Sequence, residues 1–429
     1  RISCPGPHRQ LTAMTEQPVP QDLAVDLRQL VMTIANTVDL VGVDDLLHGR
    51  RVGMLARELA RQLGLDDQIQ LLLYDAGLLH DCGVSSTRVH KRLVVDLEWS
   101  GSQEHCIRGE ELLQDFAPLA HLAPIIRYHH SRWMWLEKQE LAPDTVRFAN
   151  LIFLADRIDV LAAPFHADHT TLAHAEEIRE RLAAERGRLF APDLIDAFLA
   201  LSEGEAFWLA LQPESVQQYQ SEMESFGDLR MIGWQEFKRC ADIFARIIDA
   251  KSPYTEQHSR GVSLLSRHLA GKMGLDPVTC EKIEVAGLLH DIGKLQIPDE
   301  IIEGHNALTP QEFNIMKGHS FGTRQVLKRL HAIDDLASWA YYHHETPDGH
   351  GYPFHVGGAA LPLEARIINV ADIFQTLAQE RPYRKPMAPD EIMAILEERA
   401  EQGRADLAVV AVVAGDLANC HRIALCCAA

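Results

Sequence analysis

Seven side chains able to bind a metal ion occur twice in this chain, in the same order and at nearly constant separation. No other feature limits the fold as strongly. His48 and His258 lie 210 residues apart, as do His80 and His290, and Asp81 and Asp291. His105 to His319, His129 to His343 and His130 to His344 each span 214 residues, and Asp156 to Asp372 spans 216. A constant register followed by small drift is the mark of one unit written twice, with short insertions in its loops. The flanking segments agree. LLHGRRVGMLARELARQLG (46–64) and QHSRGVSLLSRHLAGKMG (257–274) carry apolar residues at helical spacing and end on glycine, and each leads through a further helix into GLLHD.

Helical periodicity runs through most of the 429 residues and strand-like alternation is scarce, so the expected fold is all-α, two tandem helical domains joined by a short polar linker. The expected divisions are a tail at 1–20, with Met14 as a natural start, a first domain at 21–212, a linker at 213–233 and a second domain at 234–429. The eight cysteines form neither a disulfide framework nor a CxxC pattern, which suggests reduced thiols and a cytoplasmic protein. The longest apolar run, LAVVAVVAG from Leu407, stops at Asp416, far short of the roughly 20 residues that span a bilayer, so no membrane insertion is expected. A net charge of -20 argues against a polymeric nucleic-acid partner, whose phosphates need a basic face. An anionic ligand would have to be drawn by metal ions or a few local arginines.

In the second copy the set is His258, His290, Asp291, His319, His343, His344 and Asp372. Imidazole with carboxylate suits borderline divalent metals, and the lack of cysteine argues against a structural zinc site. Five histidines and two aspartates exceed the needs of one ion. Two ions about 3.5–4 Å apart are the arrangement used for in-line displacement at phosphorus.

HSRGV, LLHDIGKLQIPD, LTPQEFNIMKGH, YYHHETPDGHGYP, ARIINVADIFQTL and ERPYRKPM, spread over about 234–405, resemble the marks of the HD-GYP phosphodiesterases, a branch of the HD metal-dependent phosphohydrolases. The resemblance implies tandem HD-type helical domains. It also implies hydrolysis of a cyclic dinucleotide, cyclic di-GMP or cyclic GMP-AMP, to a linear dinucleotide or mononucleotides. It further implies two divalent transition-metal ions, iron or manganese: one on His258, His290, Asp291 and Asp372, the other on Asp291, His319, His343 and His344. Lys294 then neutralises the phosphate or protonates the leaving oxygen. Gly351, Tyr352 and Pro353, in the loop from Gly349, lie near the substrate, and Arg366, Arg381, Arg384 and Lys385 resemble the family's phosphate and guanine contacts.

Two departures bear on this. Three-metal members place a glutamate four residues before the first histidine, where this chain has Tyr254, which favours two ions. The family's usual KPG.L after IPD is replaced by EGHNAL at 303–308, which puts substrate preference in question; His305 and His350 are expected to be exposed loop residues.

The first copy keeps His48, His80, Asp81, His105, His129, His130 and Asp156 as a second candidate metal set, with Asp44 at the position of the extra glutamate. It has Val84 in place of Lys294, HHSRWMWLEKQE in place of HHETPDGHGYP, and no PYRK. It is therefore expected to be a degenerate HD domain that senses a ligand, regulates or forms a homodimer; Trp133 and Trp135 could stack on a purine. The alternatives to hydrolysis of a cyclic dinucleotide are a non-catalytic receptor for one, or an HD-type nucleotidase.

Overall fold

The computed structural model describes residues 23–40, 47–84, 86–93, 101–224, 226, 230–251, 258–304, 306–380 and 384–426. Asp44, Tyr254, His305, Arg381 and the expected tail lie outside them. Each half is built on the same series of helices. In the first these are Leu27–Asp39, His48–Gln62, Asp67–Leu79, Gln103–Leu113, Ala123–Tyr128 and Pro143–Ala162. In the second they are Trp234–Asp249, His258–Lys272, Pro277–Leu289, Pro310–Leu327, Asp334–Tyr341 and Leu363–Ala378.

Local sequence sets the ends of these helices. Asp66 and Asp276 accept from backbone N–H groups of the turns that follow them, and Thr309 and Glu312 form a reciprocal cap ahead of Pro310. Gly64 and Gly274 stand just past helix ends at φ +69° and +81°, a conformation that costs a side-chain-bearing residue more than glycine.

The two halves are interlocked. Among the described residues the only strands are Val25–Asp26 and Met231–Ile232, paired antiparallel so that both halves begin side by side. Each leading helix packs mainly on its own half, Leu27–Asp39 on Asp67–Leu79 and Trp234–Asp249 on Pro277–Leu289, and also reaches the other: Leu27–Asp39 touches Pro310–Leu327 and Ile292–Gln296, and Trp234–Asp249 touches Gln103–Leu113. One continuous apolar core runs through both halves.

The leading helices belong to the repeat as well. Asp39 and Asp249 are also 210 residues apart, and each accepts the backbone N–H just after the first histidine, from Gly49 at 3.3 Å and Ser259 at 3.3 Å.

Part of the segment expected to be a linker is a packed element. Pro213–Glu224 is a helix that lies on His48–Gln62 and buries Val216, Gln220 and Met223, spaced by four and three. Its polar outer face hid that stripe. Among the described residues no single helix is long and apolar enough to cross a membrane; Leu407–Gly415 and Leu417–Leu425 reach that length only as a pair bent by 89°, with Val409, Val410, Val413 and Cys420 buried.

Candidate metal centre

Glycines set the backbone of the repeated His-Asp turn. A Cβ on Gly287 would fall 2.7 Å from Ser263 Cα, so the helix ending at His290 lies directly on His258–Lys272. A Cβ on Gly293 would fall 1.9 Å from the carbonyl oxygen of His319, which seats the turn against the helix carrying that histidine. Gly77 and Gly83 make the same approaches in the first half, at 2.6 Å from Gly53 Cα and 2.0 Å from the His105 oxygen. Thr323 completes the joint, donating to the His290 carbonyl at 2.9 Å and accepting from Gly293 N–H at 3.1 Å.

The imidazoles are aimed by their outer nitrogens. Nδ1 of His290, His319 and His343 donates to the carbonyls of Gly287, Met316 and Ala340 at 2.8, 2.6 and 2.7 Å, and Nδ1 of His258 to Oε1 of Gln375 at 2.5 Å. These contacts leave Nε2 of each facing inward as the lone-pair atom.

Two groups of inward atoms share Asp291. On Oδ2 lie His258 Nε2 at 3.5 Å and His290 Nε2 at 3.1 Å, with Asp372 Oδ1 3.3 Å from His258 and 4.0 Å from His290. On Oδ1 lie His319 Nε2 at 3.5 Å and His343 Nε2 at 3.7 Å, 3.3 Å from each other, and His344 groups with these two histidines.

A tetrahedral ion with bonds near 2.05 Å sets its ligand atoms about 3.3 Å apart, so both groups have metal-binding dimensions. His290 Nε2 and Asp291 Oδ1 are buried and accept no hydrogen bond, as expected of groups that await a cation. Burial pushes His319 down to about 4 and His344 to about 3, which keeps both imidazoles neutral. Burial works against ionising Asp291, yet His290 and Lys294 hold it well below the usual carboxylate range. The residues fit a divalent metal, and Lys294 Nζ donates to Asp291 Oδ2 at 2.5 Å.

Around this centre, Gly351 brings its backbone against Glu345 and His344, where a Cβ would fall 2.4 Å from Glu345 Cα. That approach seats the Tyr352 ring 4.8 Å from the His344 ring. Pro353 follows it and is half-buried. Glu345, which the sequence pattern left without a role, is buried and accepts the N–H groups of Phe354 at 2.7 Å and Val356 at 3.0 Å, shaping the loop.

The basic residues divide. Arg366 pairs with Asp406, and Arg384 donates to the carbonyl of Thr376. Lys385 and His350 are exposed. Asn369, which donates to the His343 carbonyl at 2.8 Å, and Gln375 were also missed. Both lie three residues from Asp372 on one helix, so helical phase alone could have found them.

The first half repeats the centre with its own changes. Asp81 Oδ1 faces His105 Nε2 at 3.3 Å and His129 Nε2 at 3.9 Å, the two nitrogens 3.2 Å apart, and His130 joins them. His48 lies 3.5 Å from Asp156 and 3.9 Å from Asp81, and His80 lies 3.5 Å from Asp81. Val84, buried, stands where the second half has Lys294. Nδ1 of His48 meets Asp159 at 2.7 Å, and Asp159 is also paired with the buried Arg51. Although burial opposes it, Asp159 with Asp156 and Asp81 raises His48 to about 9. Trp135 is exposed and Trp133 packs at the edge of the core.

Two tandem helical units, each closing a His-Asp cluster at the same turn, define the class, and family models for the HD domain match residues 46–161 and 242–409. A 3'3'-cGAMP-specific phosphodiesterase of Vibrio cholerae is 37% identical over 394 residues, 91% of each chain. A second enzyme of that name from the same organism is 31% identical over 69% of this chain and 63% of its own. A crystal structure of a cyclic GMP-AMP-specific phosphodiesterase of V. cholerae superposes with a TM-score of 0.62 at 24% identity, covering 92% of this chain and 98% of its own, and shows the shared fold. The chain belongs to the HD-GYP family of HD-domain proteins.

Proposed function

We propose that residues 234–429 form a metal-dependent phosphodiesterase that hydrolyses a cyclic dinucleotide, and that residues 21–212 form a degenerate HD domain that regulates it. The observation that carries this reading is the sharing of Asp291 between two ligand groups of metal-binding dimensions, with Lys294 on one of its oxygens. Two divalent ions, iron or manganese, would supply positive charge for the phosphate oxygens and acidify the attacking water. His258, His290, Asp291 and Asp372 would hold one ion, and Asp291, His319, His343 and His344 the other.

The chain's own groups do the rest. Lys294 Nζ is the proton donor beside the centre, suited to neutralising the phosphate or protonating the leaving oxygen. Tyr352, supported by Gly351 and Pro353 and held by the Glu345 loop, sets its ring beside His344 at a tilt of 34° and offers a surface for a base to pack against. Lys385, exposed, and Arg381 draw the anionic substrate; Arg366 and Arg384 serve it by fixing the surrounding helices through their partners. In the first half, Val84 in place of Lys294 removes that donor, so its role is regulatory.

Cyclic GMP-AMP is the leading substrate, because two V. cholerae relatives carry that specificity in their names. Relatives from Thermotoga maritima and Xanthomonas campestris, named as cyclic di-GMP phosphodiesterases, match over 36% and 37% of the chain and make cyclic di-GMP the runner-up. The test is to incubate manganese-loaded protein with 3'3'-cyclic GMP-AMP, cyclic di-GMP and GTP, then separate the products by chromatography. A linear dinucleotide or mononucleotides from a cyclic substrate supports the reading. Tight binding without turnover would make the protein a receptor, and turnover of GTP alone a nucleotidase.

A further inference from the structure

The two centres differ at one buried position that neither the repeat nor the ligand set reveals. Asp372 is followed by Ile373, but Asp156 is followed by Arg157, whose side chain is 2% exposed. Arg157 Nε donates to Asp156 Oδ2 at 3.1 Å, and its Nη2 lies 3.0 Å from Oδ1 and 2.8 Å from Oδ2, so both carboxylate oxygens face the guanidinium. The same Nη2 donates to the carbonyl of Leu93 at 3.0 Å, the end of the helix Thr87–Leu93.

We propose that Arg157 takes the place of one cation in the first half, leaving a single closed metal site on Asp81, His105, His129 and His130. An ion on His48, His80 and Asp156 would have to share the Asp156 oxygens with a fixed positive charge a few ångströms away, in a buried setting where that repulsion is poorly screened. The guanidinium cannot yield by losing its proton.

On the other side of Asp81 no arginine holds the carboxylate, and only His130, 3.8 Å from Asp156 Oδ2, comes near the Arg157 pair. The three distances there, 3.2, 3.3 and 3.9 Å, bracket the spacing of about 3.3 Å around a tetrahedral ion. Asp81 Oδ1, the oxygen that faces His105 and His129, is buried without a hydrogen bond, the state of an atom shaped to face a cation. Four protein ligands close the coordination, and a borderline divalent metal such as iron, cobalt or nickel suits three imidazoles and a carboxylate. Arg157 meanwhile ties the helix Thr87–Leu93 to the centre.

The proposal concerns ion number, so it stands or falls apart from any substrate. The full chain is reconstituted with cobalt(II) alone, freed of excess metal, and its ions per chain counted by plasma mass spectrometry alongside a melting curve. His129→Ala should lower the count by one and remove part of the four-coordinate cobalt absorption, whereas His48→Ala should leave both unchanged. Arg157→Leu, if it folds, should raise the count by one. A count that does not change in His129→Ala, or one that falls equally in His48→Ala, would overturn the proposal; these two variants decide it even where Arg157→Leu does not fold.

Discussion

Replacing Gly293 with alanine tests how the centre is held together. The added Cβ would sit 1.9 Å from the His319 carbonyl oxygen and 2.6 Å from Thr323 N, where real Cβ atoms do not come within 3.0 Å. The two backbones must part by about 1.1 Å to reach even that limit. Neither is a flexible side chain: one is the turn after His290 and Asp291, the other the helix Pro310–Leu327.

Overpacking of this kind costs about 1–3 kcal/mol, or a fall in Tm of about 2–12 °C at 2–4 °C per kcal/mol. The same displacement carries His319 away from Asp291, now 3.5 Å from it, by several times the ±0.2 Å that a metal bond tolerates. A misplacement of that size is worth about 10²-fold in rate.

Gly83→Ala is the control, because its Cβ would lie 2.0 Å from the His105 oxygen in the other half. The assays are thermal denaturation, metal content and hydrolysis of the cyclic dinucleotide. Both variants should lose stability and metal from their own half, and Gly293→Ala should lose rate as well. A Gly293→Ala protein with the parent's Tm and metal content would refute the claim that this backbone contact sets the ligand geometry.

Lys294→Met should keep the metal content while lowering turnover by about 10²- to 10⁴-fold, the usual worth of a positioned proton donor; unchanged turnover would remove that role. Lys251, buried against Asp299 and the Leu295 carbonyl, is pushed by burial from 10.5 down to about 8. Between those values the unfolded chain holds a proton that the folded chain lacks, so this group makes stability rise with pH from about 8 to 10.5. Lys251→Met should flatten that rise in denaturant titrations across the window, and identical slopes in the two proteins would contradict it.

The pattern of histidines and aspartates was legible because metal ligands have few substitutes, and the structure brings all seven of each copy into one cluster. Gly83 and Gly293 stood beside the His-Asp pairs in the quoted sequence, but their close backbone approach belongs to tertiary packing. Arg157 escaped notice because a charged residue beside an aspartate reads as a solvated pair until its burial is known. The contact of each leading helix with the opposite half was invisible as well, since nothing in the apolar face of Leu27–Asp39 says that the second half will cover part of it. For Arg366 the motif suggested a phosphate contact, and in the fold its guanidinium pairs with Asp406 at the start of Leu407–Gly415, a partner that the motif did not name.

The division of labour between the halves is tested most directly by hydrolysis of 3'3'-cyclic GMP-AMP by Asp291→Asn and Asp81→Asn, each with its metal content measured. Turnover should fall to background in Asp291→Asn, and Asp81→Asn should retain it while losing metal from the first half. An Asp81→Asn protein that is folded, holds its second-half metals and yet hydrolyses nothing would show that catalysis does not belong to the second half alone.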